Sequence, residues 1–108
     1  MTYTVVREWH ERFNGTSLQG YVDTTYGELV KAFSEPGAAD RYKVDAQWLL
    51  EFADGTLATI YNYKTGHNYL GLRGTDVEHI TDWHVGGHQP EALVRVGEAL
   101  GAATRTWS

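Results

Sequence analysis

Hydrophobic and polar positions change their spacing from block to block along the 108-residue chain. In residues 3–10, Tyr3, Val5 and Trp9 share one parity, interrupted by Arg7, which predicts an edge strand. Asn14-Gly15 then offers a hairpin turn onto a short strand from Leu18 to Val22. In "TTYGELVKAFSEPG" the period becomes helical, with Tyr26, Leu29, Val30 and Phe33 on one face. Thr25 and Glu28 form the capping-box pair, a hydroxyl and a carboxylate that satisfy orphan amides reciprocally. Pro36-Gly37 stops this helix, and residues 34–41 read as a loop.

The stretch "YKVDAQWLLEFADGTLATIYNYKTG" holds two strand-like runs around Asp54-Gly55. A two-residue type I′ loop there sets Phe52 opposite Leu57, Leu50 opposite Thr59, Trp48 opposite Tyr61 and Ala46 opposite Tyr63. That face is the richer in rings and is expected under the helices. The other face pairs Glu51 with Ala58, Leu49 with Ile60, Gln47 with Asn62 and Asp45 with Lys64.

"TGHNYLGLRGTD" reads as a loop with a short strand around Tyr69 and Leu70, and residues 78–85 read as the next strand. Thr81, Trp83 and Val85 take one side of it; Ile80, Asp82 and His84 take the other, and Gly86-Gly87 ends it. Pro90 suits the first turn of a second helix, Glu91 suits the positive end of its dipole, and Leu93, Val96, Gly97 and Leu100 make its buried stripe. Gly101 is the stop, and residues 102–108 read as a flexible tail in which Trp107 can pack back. The whole chain, 1–108, is then one α+β domain: an antiparallel sheet of about four to five strands, residues 1–10 at its edge, with two α-helices on one face.

Composition narrows the function. The net charge of −5 comes without a basic block, so binding along a nucleic-acid backbone is disfavoured. No cysteine is present, which removes disulfides, thiolate metal sites and a cysteine nucleophile. The first dozen residues carry charges and no long apolar run, so neither a signal peptide nor a membrane span is expected, and the expected location is cytosolic.

Candidate chemistry concentrates in "HITDWHVGGHQPEAL". Asp82 and His84 are two apart on one strand and project from one face, and His88 follows a flexible Gly-Gly. Two imidazoles and a carboxylate are a plausible metal set, but the spacing fits no sharp metal motif, and two polar side chains on a solvent-facing strand with a histidine near a helix start are the better reading. Gly86 and Gly87 before a helix start resemble an anion-binding turn, though Pro90 removes a donor and Glu91 repels phosphate. No serine stands in a nucleophile elbow, so no catalytic residue is assigned, and no cofactor or metal is expected. A third constellation is aromatic: Trp48, Tyr61, Tyr63, Tyr69 and Trp83 include more rings than so small a core needs. Exposed members, with Tyr61, Tyr63, Tyr69 and Trp83 as candidates, would be binding anchors.

Taken together, "YVDTTYGELVKAFSEP", the 42–66 hairpin block, "NYL" and "ITDWHVGGH" resemble a family of small proteins encoded by phages of actinobacteria, over about Leu18 to Leu100. The resemblance implies a non-structural accessory protein working inside the host cell, and it transfers no catalytic residue. The family pattern usually has Gly where Ser34 stands. The helix-then-hairpin order also resembles one repeat of the β-lactamase inhibitor protein fold, a likeness from which function does not follow. The expected function is therefore binding of a host or defence-system protein in the host cytoplasm, as monomer or homodimer. A small-ligand or nucleotide sponge built on the Gly86–Gly87 turn, or a metal-dependent enzyme using Asp82, His84 and His88, are the alternatives.

Overall fold

Which residues lie beneath the helices is decided by strand register. The structure, a computed structural model, describes residues 1–37, 46–63 and 67–107, with His67 and Asn68 by backbone only. The strands are β1 (Tyr3–Val6), β2 (Ser17–Asp23), β3 (Gln47–Phe52), β4 (Leu57–Tyr61), β5 (Asp82–Gly87) and β6 (Thr104–Thr106). The α-helices are α1 (Tyr26–Phe33), α2 (His67–Leu70) and α3 (Glu91–Leu100), with short 3-10 turns at Glu11–Phe13, Gly71–Arg73 and Val77–His79. All strands join one antiparallel sheet in the order β1-β3-β4-β5-β2-β6. The fold is α+β with an antiparallel sheet, as expected, but the described residues form six strands rather than four to five and three α-helices rather than two.

Helices α1 and α3 pack on one face and against each other. Thr25 caps α1, its hydroxyl accepting from the Glu28 amide at 3.2 Å. Helix α3 starts after Pro90 and ends on Gly101 in the left-handed conformation, both as the residue types demand. Leu29 and Phe33 of α1, with Ala92, Leu93 and Val96 of α3, meet Val22, Trp48, Leu50, Phe52, Ala58, Ile60, Trp83 and Val85 of the sheet. The indoles of Trp48 and Trp83 meet edge-on at 5.6 Å. Their N–H groups donate to the carbonyls of Ser34 and Ile80, so neither ring buries an unpaired donor.

The β3–β4 hairpin is one residue out of the expected register. Asp54-Gly55 reads as a two-residue loop, but residues 53–55 form a three-residue one: the Gly55 amide donates to the Phe52 carbonyl, and the Phe52 amide to the Thr56 carbonyl. Gly55 supplies the required positive φ of 89°. Trp48 therefore opposes Ile60, Leu50 opposes Ala58, and Gln47 opposes Tyr61. A one-residue slip turns every side chain of a strand over. Ala58 and Ile60 go under the helices, while Thr59 and Tyr61 project from the opposite face. The expected Asp45–Lys64 pair and the end of the 34–41 loop lie outside the described residues.

Four further expectations change. β1 and β2 do not form a hairpin through Asn14-Gly15; three strands separate them. Residues 7–16 instead span that distance, roughly 19 Å for four strand spacings and well within reach of ten residues. The edge strand spans Tyr3–Val6 rather than 1–10, so Trp9 belongs to this crossover. The tail, expected to fray, supplies β6, which pairs with β2 and makes the other sheet edge. Residues 77–79 turn as a 3-10 helix, so β5 begins at Asp82 and continues through Gly86 and Gly87 instead of ending before them.

Candidate functional site

The face away from α1 and α3 carries one straight row of side chains. Backbone register places Gln47 of β3 opposite Tyr61 of β4, Tyr61 opposite His84 of β5, His84 opposite Tyr21 of β2, and Tyr21 opposite Arg105 of β6. Directly opposed residues on one face are close enough to touch, and from Tyr61 to Arg105 these do. Tyr61 stacks on His84 at 5.3 Å, Tyr21 meets His84 edge-on at 5.1 Å, and the Arg105 guanidinium lies 4.9 Å from the Tyr21 ring centre. Tyr63, just beyond β4, approaches His84 edge-on at 6.1 Å. Tyr21, Tyr61 and His84 are half-buried, and Tyr63 and Arg105 are exposed. At the end of the row Arg105 is bound to Asp82 and also pairs with Asp23 at 3.7 Å.

The adjacent row reads Val6, Leu49, Thr59, Gly86, Leu18 across the strands. Leu49 and Thr59 are buried although they face away from the helices. The 7–16 crossover covers this part of the face. Arg12 pairs with Glu51 at 2.7 Å, Phe13 is fully buried outside the main core, and Trp9 borders the same hollow as Thr59. Trp9 is fixed by its indole N–H, which donates to the Asn14 side-chain oxygen at 2.9 Å, and by the Phe13 ring. Gly86 has no side chain to fill its place in the row. Above it lies a hollow of about 200 Å³, bordered by Trp9, Tyr61 and Tyr63 together with Gln47 and Thr59.

His84 holds the centre of the face. Burial pushes its imidazole below the ordinary value of 6.5, and nearby Asp82 opposes this only in part, so the ring is neutral at pH 7. Its Nδ1 is buried and has no hydrogen-bond partner among the described residues. The Tyr61 hydroxyl is pushed up by burial and by neighbouring Tyr21 and Tyr63, so it too is uncharged.

The candidate residues read from the sequence scatter. Asp82 and His84 do share a face, but Asp82 is engaged by Arg105 and His84 by rings. His88 stands elsewhere, its Nε2 2.8 Å from the Arg12 carbonyl. Among the described residues, no three His, Cys, Asp or Glu side chains come together as a metal site. Gly86 and Gly87 are not a turn at a helix start. They lie inside β5, with β2 on one side and β4 on the other, and a Cβ on Gly87 would sit 2.4 Å from that of Ala92 in α3. Their shared reason for being glycine is close packing, on opposite faces of the sheet.

Of the aromatic candidates, Tyr61 and Tyr63 belong to the open face. Trp83 is fully buried beneath the helices, because its parity on β5 is that of Val85. Tyr69 stands half-buried on α2 and is no part of the row. Trp9, Tyr21 and Arg105 were not singled out by sequence reasoning. The alternation in "TRT" at 104–106, with β-branched residues flanking Arg105, is the one local signal that marks it as a strand residue.

No helix among the described residues is long and apolar enough to cross a membrane. The chain matches no known family model, and neither a curated protein nor a solved structure matches it.

Proposed function

We propose that this chain is a protein-docking domain whose contact surface is the open face of the sheet. The observation that carries the reading is the uninterrupted row from Gln47 through Tyr61, His84 and Tyr21 to Arg105, in register over five strands. Tyrosine, tryptophan and arginine are the side chains that anchor protein interfaces, because they offer large rigid area with a polar tip. Here they are held by neighbours on both sides, so little side-chain freedom remains to be lost on binding. The polar rim formed by Asp23, Asp82, Arg105, Glu51 and Arg12 fits the same architecture. A net charge of −5 favours approach to a basic surface.

The resemblance to small actinobacteriophage proteins supplies the setting of the proposal: the partner is a host or defence protein, met in the host cytoplasm, and the role is to occupy its surface. The test is capture from an actinobacterial lysate with three immobilised chains. The wild type and Val94→Ser, altered on the exposed side of α3, retain the same partner; Tyr21→Ala/Tyr61→Ala loses it. A partner held equally by all three chains, or none held by the wild type, overturns the proposal.

A further inference from the structure

We infer that the hollow over Gly86 is a seat for a cationic side chain, a lysine ammonium or an arginine guanidinium presented by the docking partner. The inference rests on the docking reading above and names the chemistry of its anchor.

The seat lies where Gly86 of β5 packs closely against Thr59 of β4, between the crossover and the end of β4. A Cβ at Gly86 would lie 2.5 Å from the Thr59 hydroxyl and 3.5 Å from the Tyr61 ring, so Thr59 and Tyr61 close over the glycine and floor the hollow. Three rings border it, and they come from three parts of the chain: Trp9 from the crossover, Tyr61 from β4, and Tyr63 from the segment after it. Aromatic faces carry negative charge density and attract cations, most strongly for tryptophan. The remaining lining offers the oxygens of Gln47, Thr59 and Ser17, which suit an N–H donor better than an apolar group.

Electrostatics separate a cation from the other possible guests. Among the described residues bordering the hollow none is charged, so no fixed cation repels the guest. The next ring of the row beyond Tyr61, His84, is kept neutral by burial. Arg105 lies at the far end, spent on Asp82 and Asp23, and Arg12 is spent on Glu51. An anion would be opposed by the net charge of −5, and a cation is favoured by it.

The test is an NMR titration of the intact chain with two capped peptides, Ac-Gly-Lys-Gly-NH2 and Ac-Gly-Arg-Gly-NH2. The reporters are the Gly86 amide and the Trp9 indole N–H. The matching glutamate and leucine peptides and methyl glucoside are the comparisons. Saturable shifts with the cationic peptides alone are expected. Trp9→Leu and Tyr63→Leu preserve apolar contact but remove a ring, and each weakens binding by about tenfold. Trp9→Phe and Tyr63→Phe restore most of it. Trp9 and Tyr63 are 49% and 40% exposed, so these variants keep the fold, which a dispersed spectrum verifies. Equal shifts with the leucine peptide, the glutamate peptide or the glucoside overturn the inference, as does undiminished binding by Trp9→Leu. The titration needs no partner, so it succeeds or fails independently of the capture experiment. A captured partner indifferent to Trp9→Leu removes the cation seat while leaving the docking face in place.

Discussion

The same strands build both faces of this sheet from alternate residues, yet the two faces come out differently. Beneath α1 and α3, Trp48, Leu50, Ile60, Trp83 and Val85 are sealed, each 1% exposed or less. One residue along each strand, Gln47, Tyr61, His84 and Tyr21 are only half-buried, and among the described residues the cover on their side is the short 7–16 crossover at one end. Tyrosine and histidine on the second face keep polar tips that tolerate water, whereas the first face is aliphatic and indole. The lesson is that stability and recognition are divided by strand parity, so substitutions on the two faces are expected to separate the two properties.

The largest effect belongs to the sealed face. Trp83→Ala removes a fully buried indole and is expected to cost about 3–5 kcal/mol in chemical denaturation, close to the whole stability of a small domain. Gly87→Ala comes next, because its methyl must displace the Ala92 methyl of α3; a loss of about 1–3 kcal/mol is expected by the same measurement. Ser34→Gly acts in the opposite direction. Ser34 has φ 68° and ψ −169°, a region that glycine enters freely and other residues do not. It is held there because its amide donates to Val30 and its carbonyl accepts the Trp48 indole, both at 2.8 Å. Relief of this strain is expected to raise stability by about 1 kcal/mol, read as a higher melting temperature.

The open face responds more weakly. Tyr21→Ala is expected to change stability by no more than about 1 kcal/mol while weakening partner binding strongly. His84 adds a pH dependence of defined sign. Its folded pKa lies below 6.5, so the unfolded chain takes up this proton first as the solution is acidified. Stability from the neutral ring is therefore full above 6.5 and is lost as pH falls below it. His84→Phe should flatten that part of the denaturation profile; an unchanged slope would show that the neutral imidazole is not its source.

Local signals were legible where one residue type does one job. Thr25 caps a helix, Pro90 precedes one and Gly101 ends one, because those roles depend on neighbours in the chain. The hairpin register was not legible. Asp54-Gly55 serves a two-residue loop and a three-residue loop alike; what selects the longer one is that it sends Ala58 and Ile60, rather than Thr59 and Tyr61, beneath α1 and α3. That choice is tertiary, and it decides which tyrosines face water. The candidate site suffered from the same cause. Tyr61 and Tyr63 stood out as rings, but on the face expected to be buried, and Trp83 stood out although its parity buries it. Trp9, Tyr21 and Arg105 join the site only because β1 and β2 are far apart in the sheet and β6 returns to pair with β2; the alternation at 104–106 marks a strand, but neither pairing choice leaves a short-range trace.

The central claim, that recognition lives on the open face, is tested most directly by hydroxyl-radical footprinting of the chain free and bound to its captured partner. The account predicts that oxidation of Trp9, Tyr21, Tyr61 and Tyr63 is suppressed in the complex, while that of Val94, exposed on α3, is unchanged. Protection confined to Val94, with the four rings oxidised as in the free chain, would contradict it.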